Sequence, residues 1–257
     1  MKHLSFGWRQ IPYFLCKLKN LLIYICLLKY VLANDFVLRI YVTHCRFQCL
    51  WSKMEEYTIM ADFLKFFTFN YKKYKEMILK DVEFNATFRN GTSRLSLKEE
   101  HMPEFRIVKN YRKYQANIGN IWGILYKIKL HRLTNRYGVD FLGNKNFGNG
   151  LIIGHWGRIV VNGNAKFGDE VMLTHGVTIG RDIRGKREGA PTFGNKICIR
   201  TNSTVVGNIT IGDDVLIAPN TFVNFDVPSH SVVIGNPATI HHKDNATLGH
   251  IGVMKEK

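Results

Sequence analysis

From Phe141 onward the chain repeats with a period of six. Apolar residues stand at Phe141, Phe147, Ile153 and Ile159, then after a shift of two at Val161, Phe167, Leu173 and Ile179. After a longer gap they continue at Phe193, Ile199, Val205, Ile211, Ile217 and Val223. Glycine often follows, as at Gly148, Gly154, Gly168, Gly180, Gly194 and Gly212, and the fifth position is small or β-branched from Val171 to Thr221. An antiparallel sandwich would show period-two alternation and hairpin turns, which this stretch lacks. A six-residue step predicts a parallel β-helix. The first apolar side chain of each hexad points inward, the next residue turns a corner, and three hexads close a coil that stacks about 4.8 Å from the next.

Upstream of this region the period is that of helices. Aromatic residues recur at three and four through the segment that begins at Ala61, Ser96-Leu97-Lys98-Glu99 has the form of a capping box, and Pro103 suits a first helical turn. Phe105, Val108, Tyr111 and Tyr114 then recur every three residues. Asn120 suits the cap of a further helix carrying Ile121, Leu125, Ile128 and Leu133 inward, with Gly138 as its stop. The expected organisation is a basic apolar extension over 1–59, a helical region over 60–137, a β-helix over 138–240 and a tail over 241–257.

Composition changes this picture at the N-terminus. The 257 residues carry a net charge of +16, with 24 basic against 11 acidic residues over 1–140 and only 9 against 7 over 141–240. The coils therefore lack the concentrated basic face that nucleic-acid binding needs, and no nucleic-acid partner is expected. The stretch over 21–33 is apolar but shorter than the roughly 20 residues of a membrane span, and Lys29 interrupts it. Its basic flanks fit an interfacial helix making peripheral membrane contact. The competing reading is upstream sequence preceding a start at Met54 or Met60. Five cysteines without a CxxC pair read as reduced thiols in the cytoplasm rather than a disulfide framework.

A regular prism has no cleft, so a site is expected where the repeat is interrupted. The first interruption is the two-residue slip after His155. His155 and His175 are twenty apart, one coil plus the two extra residues, and each is the third residue of its hexad. The two imidazoles should stack on one edge of the prism, facing solvent. Trp156 beside them offers a flat apolar surface on which a sugar ring packs, or a buried structural indole. The second interruption, over 180–192, places Arg181, Arg184, Lys186 and Arg187 between glycines. It reads equally as a phosphate-meeting loop or a solvated excursion. His241 and His242 lie after the coils, so no metal site is expected.

Several segments, YGVDF (137–141), GLIIGHWGRIVVNGNAKFG (150–168), HGVTIG (175–180), GNITIGDDVLIAPNTFV (207–223) and VPSHSVVIGNPATI (227–240), together resemble the serine acetyltransferase family. They look closer to its polysaccharide-associated O-acetyltransferase relatives. The resemblance implies a mainly β chain with a left-handed β-helix, a homotrimer, acetyl-CoA as donor and a site between subunits. It places the catalytic base on His155 and its partner carboxylate on Asp140, with His175 as a further candidate. It also puts the donor along the coils near Ala218 and the Gly235-Asn236-Pro237 turn, with Lys186 and Arg187 toward its phosphates. The backbone amides of Gly157 and Gly176 are the candidate oxyanion donors.

This chain departs from the family's pattern at the acceptor. Serine acetyltransferases carry an Asp just before the catalytic His and an Arg-His pair just before the loop proline, where this chain has Gly154 and Gly189-Ala190. Arg158 replaces a second expected glycine. With Trp156 and Arg158 assigned to the acceptor, the expectation is acetyl transfer to a saccharide hydroxyl in surface-polysaccharide biosynthesis. Serine O-acetylation and a non-catalytic trimeric scaffold are the alternatives.

Overall fold

The computed structural model describes residues 61–62, 64–141 and 146–251. The apolar stretch over 21–33, the rest of the N-terminal extension and the last six residues lie outside them. Among the described residues no helix is long and apolar enough to cross a membrane.

Among the described residues, the helices α1 (Tyr71–Asn90), α2 (Leu97–Glu100), α3 (Pro103–Ala116) and α4 (Ile121–Tyr137) lead into the coils. Their ends follow the expected chemistry. Ser96 and Glu99 form a reciprocal capping box, Pro103 opens α3, the Asn120 side chain accepts from Gly123 N, and Gly138 closes α4 in the left-handed conformation. Phe105, Val108, Tyr111 and Tyr114 are all buried. Helix α4 departs from its expected facing. Gly123, Leu130, Leu133 and Thr134 are buried, whereas Leu125 and Ile128 are exposed. Gly123 explains the rotation, because a Cβ there would sit 2.1 Å from the Asn117 carbonyl oxygen. That close approach turns the Gly123/Leu130 side of α4 inward.

The strands then wind through three parallel sheets. One contains β1 (Val139–Asp140), β3 (Ile159–Val161), β6 (Thr178–Gly180), β9 (Thr204–Val206) and β12 (Phe222–Val223); a second contains β4 (Lys166–Phe167), β7 (Thr192–Phe193) and β10 (Thr210–Ile211). The third runs β2 (Ile152–Ile153), β5 (Val171–Leu173), β8 (Ile197–Ile199), β11 (Val215–Ile217) and β13 (Ser231–Gly235), and ends on β14 (Ala238–His242), which pairs antiparallel with β13. Residues one coil apart are register partners, as in Ile199↔Ile217 and Val205↔Val223. Every apolar residue of the six-residue series is buried, from Phe141 to Val223. Ile159 alone takes a different place: Val160 pairs with Thr178, so Ile159 aligns with Val177 and Val161 with Ile179. The two extra residues therefore fall between His155 and Ile159.

The glycines after the core position on one edge answer to close stacking. A Cβ at Gly168 or Gly194 would lie 2.5 Å from Asn195 Oδ1 or 2.3 Å from Asp213 Oδ1. Those side chains form a ladder along the edge, each accepting from a backbone N–H of the preceding coil: Asp169 from Asn149, Asn195 from Asp169 and Asp213 from Asn195.

The outward residues of the third sheet are also apolar. Ile152, Met172, Cys198 and Leu216 are buried under Phe84 and Phe88 of α1 and under Ala246 and Ile251 of the C-terminal segment. Burial pushes the Cys198 thiol up to about 11. The tail thus packs back onto the coils. Asp214 fastens it, accepting from Ala246 N (2.9 Å), Thr247 N (3.0 Å) and Thr247 Oγ1 (2.7 Å), with His230 Nδ1 at 2.9 Å. Burial alone would raise the Asp214 carboxyl, but these donors outweigh it and hold it below its ordinary value. A depressed folded pKa contributes stability that is present above the unfolded value of about 3.9 and is lost as pH falls through the folded one. Hydrogen exchange of residues 243–251 should therefore accelerate below about pH 4, ahead of the coils; uniform protection of coils and tail down to global unfolding would contradict the clasp.

Candidate active site

The slip after Ile153 opens the edge between the third sheet and the first. Gly154 N donates to Leu173 O at 2.8 Å and Gly176 N to Gly157 O at 2.8 Å, so the coils stay in contact on both sides of the bulge. Between these bonds His155 and His175 emerge to solvent, their ring centroids 6.0 Å apart with planes at 64°. The stacked pair is as the count of twenty requires. Trp156 is 48% exposed rather than buried, and its ring lies 5.3 Å from that of Tyr137, the last residue of α4. Arg158 turns the same corner with φ 49° and is exposed.

Asp140 is exposed on β1, with Val160 its register partner on β3. Among the described residues its carboxylate accepts no hydrogen bond from either imidazole. Of the two candidate oxyanion donors, the Gly176 amide is already committed to Gly157 O. Among the described residues the Gly157 N–H has no acceptor, which leaves it the better candidate.

The expected donor track is partly assembled. Leu173, Ile199, Ile217 and Val233 are successive register partners, so the residues two beyond them, His175, Thr201, Pro219 and Gly235, occupy one edge together with His155. Ala218 is on the same edge and donates its N–H to Val233 O at 2.8 Å. From His155 to Gly235 this edge runs four coil steps, about 19 Å at the usual strand spacing. Asn236 and Pro237 form the turn between β13 and β14 at its end. Lys186 and Arg187 are elsewhere. Their loop leaves β6 at the next edge and folds over that edge, with Asn208 N donating to Arg187 O and the Arg187 guanidinium to Asn224 O. Within one chain they do not join the histidine edge.

Two residues escaped the sequence reading. Tyr137 reaches Trp156 because Gly138 stops α4 against the bulge, where a Cβ would sit 3.2 Å from Arg158 N. Arg89, near the end of α1, donates from Nη2 to Ile153 O at 2.9 Å, bracing the strand two residues before His155. The stop signal at Gly138 was readable; nothing in the sequence marked Arg89. The acceptor departures have a structural side as well. A Cβ on Gly154 would lie 2.7 Å from Met172 Cε, and Gly189, at φ 132°, would place one 3.0 Å from Asn208 Cβ.

No family model matches the chain. Among curated proteins it is similar to serine acetyltransferase from Helicobacter pylori (35% identical over 107 residues, 42% of this chain and 63% of that one). It is also similar to serine acetyltransferase 4 of Arabidopsis thaliana (34% over 109 residues, 42% and 31%). The chain thus spans between about a third and under two thirds of these relatives. Among solved structures, Soybean serine acetyltransferase matches with TM-score 0.55 and 26% identity, over 66% of this chain and 69% of that one. Serine acetyltransferase from Brucella abortus in complex with coenzyme A matches with TM-score 0.56 and 22% identity, over 68% and 70%, which shows the fold alone. The parallel coils and these likenesses together show that the chain is built on a left-handed β-helix, similar to the one in solved serine acetyltransferases.

Proposed function

We propose that the chain is an acetyl-CoA-dependent O-acetyltransferase that works at the His155/His175 edge. The observation that carries this reading is the solvent-facing pair of imidazoles, one above the other on adjacent coils at the two-residue slip, beside a Gly157 N–H that has no acceptor among the described residues. A hydroxyl is a poor nucleophile at neutral pH. A neutral His155 imidazole takes its proton as the oxygen attacks the thioester carbonyl carbon, the Gly157 N–H meets the developing oxyanion, and the carbon–sulfur bond then breaks. The imidazolium returns the proton to the departing thiolate, giving an O-acetyl ester and free coenzyme A. Asp140 serves by turning its carboxylate to the ring and holding the imidazolium, a contact that closes when substrates bind. Lys186 and Arg187 can meet the donor of this edge only from a neighbouring copy, which fits a homotrimer with sites between subunits.

The relatives described above favour serine as the acceptor over the saccharide expected from sequence, since each of them is named a serine acetyltransferase. A second reading, a sugar acceptor, rests on one set of observations: at Gly154, Gly189 and Ala190 no charged side chain stands to meet serine's ammonium or carboxylate, while Trp156 and Tyr137 form an open aromatic wall beside the base. Discrimination of a small zwitterion relies on charged partners. Initial rates with L-serine and with an oligosaccharide panel decide between them. Saturable acetylation at sub-millimolar serine is the expected result; negligible serine turnover beside measurable oligosaccharide turnover would overturn serine and leave acetyl transfer standing.

A further inference from the structure

Helix α4 is apolar on two sides. Leu130 and Leu133 fill the core, and on the opposite side Ile124 (51% exposed), Leu125 (49%) and Ile128 (48%) face solvent within one turn of each other. A helix apolar all round is normally buried, so this outer stripe calls for a cover. The surface continues at the start of the helix, where Trp122 Nε1 donates to the carbonyl of the half-exposed Phe67 at 2.8 Å.

Charge indicates what the cover is. Lys127 and Lys129 border the stripe, and Arg132 and Arg136 extend the same face; all four are exposed, and among the described residues none is in an ion pair. Between Glu104 and Asp140 the chain holds eight Lys and Arg and not one Asp or Glu. We propose that this face of α4 docks on an anionic lipid bilayer. The apolar stripe enters the acyl boundary, the bases meet lipid phosphates, and the aromatic residues at the helix start lie at the headgroup level. A second copy of the chain is the poorer cover, because a two-fold contact would set these bases against their own images with no acid to relieve them. The proposal concerns α4 itself and is independent of residues 1–59 and of the acceptor.

The test is co-sedimentation of the full chain with vesicles of phosphatidylcholine alone or with one third phosphatidylglycerol, at low and high salt. The wild type should pellet with the anionic vesicles, less so at high salt. Ile124→Glu/Leu125→Glu/Ile128→Glu should weaken binding at least tenfold, and Lys127→Gln/Lys129→Gln should weaken it by about fivefold per base. Thermal unfolding checks that both fold; should the first variant fail to fold, the second decides. Binding unchanged in the variants, or equal binding to neutral vesicles, overturns the proposal. So does self-association of the wild type that the variants abolish, without vesicle binding.

Discussion

His155→Ala is expected to lower kcat by about 10²–10⁴-fold, the range a positioned general base contributes. Affinity for acetyl-CoA should stay close to wild type. The imidazole sits on the solvent edge of the coil with only His175 as its ring neighbour, so its removal leaves no cavity and breaks no hydrogen bond among the described residues. Its loss is therefore felt in the transition state rather than in donor binding or folding. His175→Ala should have an intermediate effect. A fully active His155→Ala, or a dead His175→Ala beside it, would move the base to the other member of the stack. Single-turnover kinetics with isothermal titration of acetyl-CoA separates these cases. Asp140→Asn should cost less than His155→Ala but still substantially, because in the proposed mechanism the carboxylate acts through the ring.

The second large effect is on stability. Asp81 of α1 and Arg112 of α3 are fully buried and paired, Nε to Oδ2 at 2.6 Å and Nη2 to Oδ1 at 3.0 Å. The pair also ties both helices to the first coil. Asp81 Oδ1 accepts from Gly150 N at 2.8 Å and Leu151 N at 2.9 Å, and Arg112 donates to the carbonyls of Phe147 and Gly148. Replacing Asp81 with alanine strands a guanidinium inside the protein and leaves two amides without their acceptor. The expected cost is about 3–5 kcal/mol. Chemical denaturation measures it; a loss below about 1 kcal/mol would show that this pair does not hold the helices to the coils.

Much of the coil was readable because its demands repeat. An inward apolar residue every six positions and a glycine where an edge side chain of the next coil comes within 2.5 Å recur often enough to be counted, and the histidine stack followed from that count. The slip itself was placed to within two residues, Ile159 taking the slot of Val177 because its own pattern matches either position. What stayed hidden depends on one residue meeting another far along the chain. Asp81 is one of three carboxylates in a lysine-rich helix, with Glu76 and Glu83, and its partners Arg112 and Gly150 lie 31 and 69 residues away. Leu125 and Ile128 carried the right spacing for a core face but the wrong side, since Gly123 set the rotation of α4 through Asn117. The anchoring of the tail through Asp214 was unreadable for the same reason.

The position of the donor's sulfur tests this edge most directly. In a crystal structure of the chain with coenzyme A, the pantetheine arm should run along the edge from Gly235 past Ala218, with its sulfur beside the His155 and His175 rings. A sulfur bound away from both imidazoles would contradict the assignment of this edge as the site of acetyl transfer.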